Sequence, residues 1–325
     1  MAKMNPKINL DNQFRPKKIL SVVSACRNER ENVAELVKRI EAVLACATIT
    51  DYEIILIDNA STDGTQAILR ELSNKNPRIK VILNARNFGH IRSPYHAILQ
   101  GRGDAVIYLA SDLQEPPELI PELLQKWKDG AEVVAAVKNQ SAESPLFFLV
   151  RKIYYRLLQE LADVKTIPNF TGFGLYSRRV IDYCRELQDP YPYFRGLISE
   201  IGLPVAFVNY KQPKRTRGFS KNNFYTLYDM AMLGITNHSK VPLRLATLSG
   251  FVLSLLSFCV GCGYLIYKIL FWERFSLGIA PALIGLFFFC SLILFFIGIL
   301  GEYIGAIHTQ VLKRPLVVEK ERINF

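Results

Sequence analysis

Two stretches near the C-terminus limit what this chain can fold into more than any other feature. Leu245 to Tyr267 is 23 residues without a charged side chain, and Phe275 to Gly301 is 27. As helices, each is long enough to cross about 30 Å of hydrocarbon, the second with its span at about 277–301. Lys268, Glu273 and Arg274 supply the charge between them, which predicts a tight helical hairpin. Cations flank its outer ends, Lys240 and Arg244 before it and Lys313 and Arg314 after it. By the positive-inside rule both ends face the cytoplasm. The expectation is an integral membrane protein with two spans, in a plasma or inner membrane. The polar, basic N-terminus has no apolar h-region, so no secretory signal is expected.

Outside the hairpin the pattern alternates. Strand-like runs at Ile19–Ser24, Glu53–Ile57, Ile79–Leu83, Ala105–Leu109 and Glu132–Val137 are separated by helical patterns. That alternation predicts an α/β domain with a mainly parallel sheet covered on both faces. The run at Ala105–Leu109 stops at Ser111-Asp112-Leu113-Gln114, and Pro116-Pro117 then forbids a continuing strand. An acid and an amide two residues apart at such a strand end are placed to meet a ligand. The competing role for Asp112 is to cap the helix expected at Glu118–Trp127. Asp58 ends another strand, and ends of one parallel sheet share an edge, which favours a nucleotide-type crevice. Neither G-x-G-x-x-G after the first strand nor G-x-x-x-x-G-K-[ST] occurs, so dinucleotide and P-loop chemistry are disfavoured.

The net charge of +11 points to an anionic partner. Five cations and no acid fall between Lys211 and Lys221. This stretch reads either as a phosphate-binding segment or as the cationic flank of the hairpin. No nucleic-acid motif is present. The six cysteines lack the spacing of a disulfide framework or zinc site, and Cys259-x-x-Cys262, inside an apolar span, reads as packing.

The motifs themselves are specific. R-N-E at Arg27–Glu29, D-N-A-S-T-D-G-T from Asp58, R-N-F-G from Arg86 and S-D-L-Q-E-P-P-E from Ser111 resemble family-2 glycosyltransferases of the GT-A fold. The similarity is closest to the polyprenyl-phosphate branch, with dolichyl-phosphate mannose synthases and bactoprenol glucosyltransferases. It continues through T-G-F-G-L-Y-S-R-R from Thr171, Y-F-R-G-L from Tyr193, R-T-R-G-F-S-K from Arg215 and the segment Leu300–Gly305.

The resemblance implies that Asp58 contacts the nucleotide base and that Asp112 and Gln114 hold a divalent metal, Mg2+ or Mn2+. It also implies phosphate handling by Arg215, Ser220 and Lys221, with Arg217 in the same cluster. Arg27, Glu29, Asn59, Arg86, Asn87 and Ser111 complete the expected substrate-binding set. The chain departs from the family pattern at four positions. Ala110 stands in place of an acid, Asn59 in place of a second aspartate, and Gly172 and Gly174 where many members carry Asp and Arg.

The expected organisation is a flexible N-terminus (1–17), a GT-A domain (18–221), an interfacial amphipathic region (222–242), the two spans (243–306) and a cytoplasmic tail (307–325). The aromatic and basic segment Pro145–Leu158 could line a lipid entrance or be an ordinary amphipathic helix. The expected reaction is inverting transfer of a sugar from a UDP- or GDP-sugar to a polyprenyl phosphate, in cell-envelope glycan biosynthesis. Two alternatives stand: transfer to a glycan or lipid hydroxyl, and a non-catalytic membrane scaffold with a degenerate nucleotide site. The partners are then a nucleotide sugar, a polyprenyl phosphate and the bilayer, not nucleic acid. A homo-oligomer is allowed but not specified.

Overall fold

The structure, a computed structural model, describes residues 19–47, 49, 51–140, 167–213, 232–233, 236, 239–271 and 279–325. The chain forms two units, Met1–Glu143 with Ile167–Ser220 and Arg314–Phe325, and Ser144–Thr166 with Lys221–Lys313.

In the first unit β1 (Leu20–Cys26), α1 (Val33–Cys46), β2 (Tyr52–Asp58), α2 (Thr65–Lys75), β3 (Ile79–Asn84), α3 (Gly89–Gln100) and β4 (Ala105–Tyr108) alternate as the apolar runs predict. A 3-10 turn at Pro117–Leu119 leads into α4 (Ile120–Lys128) and β5 (Val133–Gln140). Then come β6 (Phe170–Ser177), α5 (Arg178–Leu187), α6 (Phe194–Glu200) and β7 (Val205–Lys211). With β8 (Glu319–Ile323) they make an eight-stranded sheet in the order β7-β5-β6-β4-β1-β2-β3-β8. β3, β2, β1 and β4 run parallel, as do β5 and β7, whereas β6 and β8 are antiparallel to their neighbours.

Successive strand residues serve opposite faces, as the two-residue period of a strand requires. Val22, Ile54 and Leu56 pack with Leu36 and Ile40 of α1, Leu69 of α2 and Leu123 of α4. Val23, Ile55 and Ile57 pack with Ile98 of α3, Val180 of α5 and Ile198 of α6. Burial on both faces makes these strands near-continuous apolar runs. From β1 the chain adds β2 and β3 on one side, then returns to place β4 on the other. The C-terminal ends of β1 and β4 therefore flank the topological switch point, where open α/β sheets bind ligands.

Part of the expected cytoplasmic tail belongs to the sheet. Glu319–Ile323 pairs antiparallel with β3, and Ala85 donates its N–H to the Val318 carbonyl at 2.9 Å. Glu321 forms a bidentate ion pair with Arg70 of α2. Glu319 lies 2.6 Å from His96 Nε2 of α3, and Asn324 donates to the Ser73 and Ile79 carbonyls at 2.8 and 2.9 Å. A strand reading E-K-E-R-I has no apolar alternation to announce it. It is a charged edge, the kind that discourages further strand pairing.

In the second unit α7 (Val241–Leu270) and α8 (Ile279–Val311) have 30 and 33 residues. Val241–Val260 and Phe288–Val311 are long and apolar enough to cross a membrane, and none of either window is buried within the protein. Exposed Phe251, Leu255, Leu294 and Phe295 are typical of their surface. Helices apolar all round need lipid or protein around them. Tyr303 of α8 is buried and donates its hydroxyl to the Ser239 carbonyl at 2.6 Å. All six cysteines are free.

At the N-terminal ends of the strands Glu53 is 6% exposed. Its carboxylate accepts from Ser21 Oγ, Lys80 Nζ and the Arg102 N–H, each at 2.6 Å. Burial alone would raise its pKa, but the bonds from Lys80, Ser21 and Arg102 outweigh burial and hold it below the ordinary 4.5. Glu53→Gln leaves half-buried Lys80 without its counter-charge and should cost about 3 kcal/mol of stability at neutral pH. A lowered folded pKa means stability that is full above about 4.5 and lost as pH falls through the folded value. The gap in unfolding free energy between wild type and Glu53→Gln should therefore narrow below that pH. A gap constant across it would show that Glu53 does not carry the charge.

Candidate active site

The loops after β1 and β2 are stitched together before any ligand arrives. Register puts Cys26 beside Asp58, and the Asn59 N–H reaches the Cys26 carbonyl at 2.9 Å. Asn28, in the left-handed region at φ 56, donates its N–H to Ser61 Oγ and accepts from the Thr62 N–H with its side chain. The N–H groups of Glu29 and Arg30 reach the side chains of Thr65 and Asp63 at 3.1 Å. Asp58 is fully buried, and its Oδ2 accepts from the Ser61 N–H at 2.9 Å and from Gln66 Nε2 at 2.7 Å. Asp58, the side chain expected to contact the nucleotide base, thus braces the loop that follows β2. Arg27 is exposed.

Asn59 sits 5% exposed at the junction with the third loop. Its amide donates to Asn87 Oδ1 at 2.8 Å and the Gly89 carbonyl at 2.9 Å. Its oxygen accepts from the Phe88 N–H at 2.8 Å and Asn84 Nδ2 at 3.2 Å. Two donations and two acceptances exhaust the amide. The side chain expected to touch substrate is thus fully engaged with the protein, whereas half-exposed Asn87 uses its oxygen, which also accepts from the Gly89 N–H at 2.9 Å. Arg86 lies exposed over the Phe88 ring, 4.1 Å from its centroid, with its cation available to an anion.

β4 delivers the acid and the amide. Leu109 extends the ladder to the Val23 carbonyl at 3.1 Å, and Ser111 Oγ donates to the Ala25 carbonyl at 2.9 Å. The Ser111 hydroxyl is thereby a tie between β1 and β4. Asp112 and Gln114 remain partly exposed, and Leu113 between them is left-handed at φ 61. Asp112 Oδ1 accepts from the Gln114 N–H at 3.1 Å. It does not cap α4: that helix begins at Ile120 behind the 3-10 turn and has no side-chain cap.

Glu115 went unsingled in the sequence. It is 5% exposed, takes the Ala110 N–H at 2.6 Å and the Thr171 hydroxyl at 2.7 Å, and burial raises its pKa despite those bonds. Nearby Tyr210 of β7 is 5% exposed, and burial raises its pKa. Both glycines of T-G-F-G are backbone requirements. Gly172 has φ 101, and a Cβ on Gly174 would collide with the Val134 carbonyl oxygen. The sheet therefore excludes at 174 the Arg that the family pattern carries. Arg215, Arg217, Ser220 and Lys221 lie outside the described residues, as do Pro145–Leu158 and most of 222–240.

His96 finds the acid that the sequence did not show, Glu319, 223 residues away. β8 is four strands from β4, about 19 Å at ordinary strand spacing. The pair belongs to the sheet edge and not to the switch point.

Among the described residues no three His, Cys, Asp or Glu side chains gather. The donor set at the switch point is one carboxylate and one amide oxygen, Asp112 and Gln114. That set is too sparse for a protein-only cage but fits Mg2+, which takes one or two carboxylates and completes its octahedron with phosphate and water.

A mostly parallel sheet helix-covered on both faces, with an acid–amide loop at its switch point, defines an α/β enzyme domain of the GT-A kind. A family model described as "Glycosyl transferase family 2" matches residues 21–184, and the chain belongs to that family. Its enzyme class is hexosyltransferase. The uncharacterized glycosyltransferase YkcC of Bacillus subtilis (strain 168) is 34% identical over 92% of this chain and 92% of its own. The bactoprenol glucosyl transferase of Shigella phage SfII is 31% identical over 93% of this chain and 97% of its own. A solved mannosyl-3-phosphoglycerate synthase from Rubrobacter xylanophilus is 18% identical, with a TM-score of 0.47 over 68% of this chain and 76% of that one. That likeness is too distant to argue from.

Asn59→Asp tests the amide latch. A carboxylate cannot donate to Asn87 and Gly89, so both acceptors lose a partner and stability should fall by about 1–3 kcal/mol. Thermal unfolding of the purified protein reads it, and an unchanged midpoint would mean the loop does not depend on the amide.

Proposed function

We propose that the protein transfers a hexosyl group from a nucleotide sugar to a polyprenyl phosphate at the cytoplasmic face of the membrane, with inversion. The observation that carries this reading is the Asp112–Gln114 loop at the β1/β4 switch point, in a chain with two membrane-length helices. Relatives of similar length named bactoprenol glucosyl transferase support the lipid phosphate as acceptor.

In the reaction an oxygen of the acceptor phosphate attacks the anomeric carbon opposite the leaving group. The bond from that carbon to the nucleoside diphosphate breaks, its electron pair stays on the diphosphate, and configuration inverts. Asp112 and Gln114 would hold a divalent metal, which when bound neutralises charge on the departing diphosphate. Exposed Arg27 and Arg86, with Arg215, Arg217 and Lys221, would offset repulsion between two phosphorylated substrates. Ser220 would add a hydroxyl donor to the same phosphate. Glu29, on the loop between β1 and α1, would line the nucleotide side of the crevice. A hydroxyl acceptor needs a general base as it attacks, whereas a phosphate monoester, with a second pKa near about 6, is already anionic at neutral pH.

The edge strand bears on topology. β1–β7 precede the apolar helices and β8 follows them, yet all belong to one sheet. They must share a compartment, so the chain between Lys211 and Glu319 crosses the bilayer an even number of times. Two helices of about 45 and 50 Å at 1.5 Å per residue suit a hairpin. The flanking cations favour the cytoplasm for its open end.

The test of the activity compares a polyprenyl phosphate with the matching polyprenol, using UDP- and GDP-sugars. Transfer should require the phosphate and rise with pH through one limb near about 6. Asp112→Asn should lower turnover by orders of magnitude in a protein that still inserts and folds. Equal transfer to the alcohol would replace the acceptor, and near-normal turnover by Asp112→Asn would remove the metal role.

For topology, single cysteines at Lys320 and Glu273 in a cysteine-free background should label from opposite faces, Lys320 from the cytoplasm. Labelling of both from one face would end the hairpin.

A further inference from the structure

The loop that carries Asp112 and Gln114 is short of support. β4 ends at Tyr108, Leu109 makes the last ladder bond, and Leu113 is held left-handed, a conformation costing a branched side chain about 1–2 kcal/mol. Such a backbone persists only where its surroundings over-determine it. Ser111 ties one shoulder to β1 through the Ala25 carbonyl. The other tie is Glu115, whose Oε2 takes the Ala110 N–H at 2.6 Å and whose Oε1 takes the Thr171 hydroxyl at 2.7 Å. Ala110 and Glu115 bracket the acid–amide pair, so the first bond closes the loop on itself. Thr171 belongs to β6, which pairs with β4 at Tyr108↔Gly174 and with β5. The second bond therefore anchors the closed loop to the sheet.

Glu115 spends both oxygens of a buried carboxylate on this loop, close to the partly exposed Asp112. We propose that Glu115 is a positioning residue, holding Asp112 and Gln114 in the shape that receives the metal-bound diphosphate. The inference rests on the proposed nucleotide-sugar reading of that loop. Glu115 is 5% exposed with both oxygens in use, so it acts through the loop and not on the ligand.

The variants are Glu115→Ala, Glu115→Gln, Thr171→Val, Thr171→Ser and the double Glu115→Ala/Thr171→Val, in the full-length protein. Hydrogen–deuterium exchange of the 110–115 amides, without metal or nucleotide, reads the clasp itself. Calorimetry with UDP or GDP plus Mg2+ reads its consequence. Glu115→Ala and Thr171→Val should each speed exchange and weaken diphosphate binding about 10-fold, leaving the KM for polyprenyl phosphate unchanged. The double variant should be no worse than Glu115→Ala. Glu115→Gln, which can still accept from Ala110 and donate to Thr171, should recover most of the affinity, and Thr171→Ser nearly all of it.

Faster exchange with unchanged binding would make the clasp merely structural and overturn the proposal. So would a Glu115→Gln as impaired as Glu115→Ala beside a normal Thr171→Val, which would put the charge on the ligand. If Glu115→Ala does not fold, Thr171→Val and Thr171→Ser decide. A wild type that binds neither diphosphate would sink the nucleotide reading and the positioning role with it, while exchange would still report the clasp.

Discussion

The register of the central strands is pinned by one buried carboxylate, and the site depends on that register. Glu53 on β2 bonds Ser21 of β1, Lys80 of β3 and the Arg102 N–H just ahead of β4. A slip of one residue would exchange the two packed faces of each strand and strand Glu53 among partners that no longer fit. With register fixed at that end, the opposite ends are fixed as well. Cys26 falls beside Asp58, Ser111 reaches Ala25, and the three loops meet close enough to bond. The charge that orders the crevice lies at the far end of the strands, where ligand chemistry does not disturb it.

Within the crevice, most of the polar side chains that look like ligand contacts in the sequence serve the loops. Asp58, Asn59, Asn87 and Ser111 are all bonded to backbone or to one another. Their bonds tie the loops of the crevice together, and on the proposed reading the partly exposed Asp112 and Gln114 with exposed Arg27 and Arg86 are left to meet ligands. The departures from the family pattern share this logic. Asn59 makes two donations that an aspartate cannot, and Gly174 fits a contact between strands that admits no side chain. With fewer charges in the crevice, the placement of Asp112 matters more, and the Glu115–Thr171 bond provides it.

Much of the fold was legible because β1 to β5 are buried on both faces and read as apolar runs, punctuated by motif loops. What escaped notice is long-range. β8 is a charged pentapeptide that becomes a strand only because β3 offers an edge, and His96 meets Glu319 across 223 residues. β6 and β7 are flanked by helices and loops whose pattern the sequence blurs, and β6 carries two glycines. Glu115 hid inside a motif whose neighbours drew attention, since nothing in D-L-Q-E says which acid faces inward. The hint was the run of two prolines after it, which stops the chain from continuing as strand and turns it back toward β6.

The edge strand also bears on how the proposed reaction would meet a membrane. A polyprenyl phosphate is anchored in lipid by its tail, so its phosphate stays within reach of the interface, whereas a nucleotide sugar arrives from water. An enzyme joining them must keep a soluble crevice close to the bilayer without burying it there. A domain tethered by one exit from the membrane could swing through a wide range. Here the chain enters the apolar helices after β7 and returns from them into β8, and both strands belong to the same sheet. The bonds of Glu321, Glu319 and Asn324 hold β8 to α2, α3 and β3. On the proposed reading, the sheet is joined to the apolar helices at both of their ends, so the chain that holds Asp112 also carries the segments that would meet the lipid.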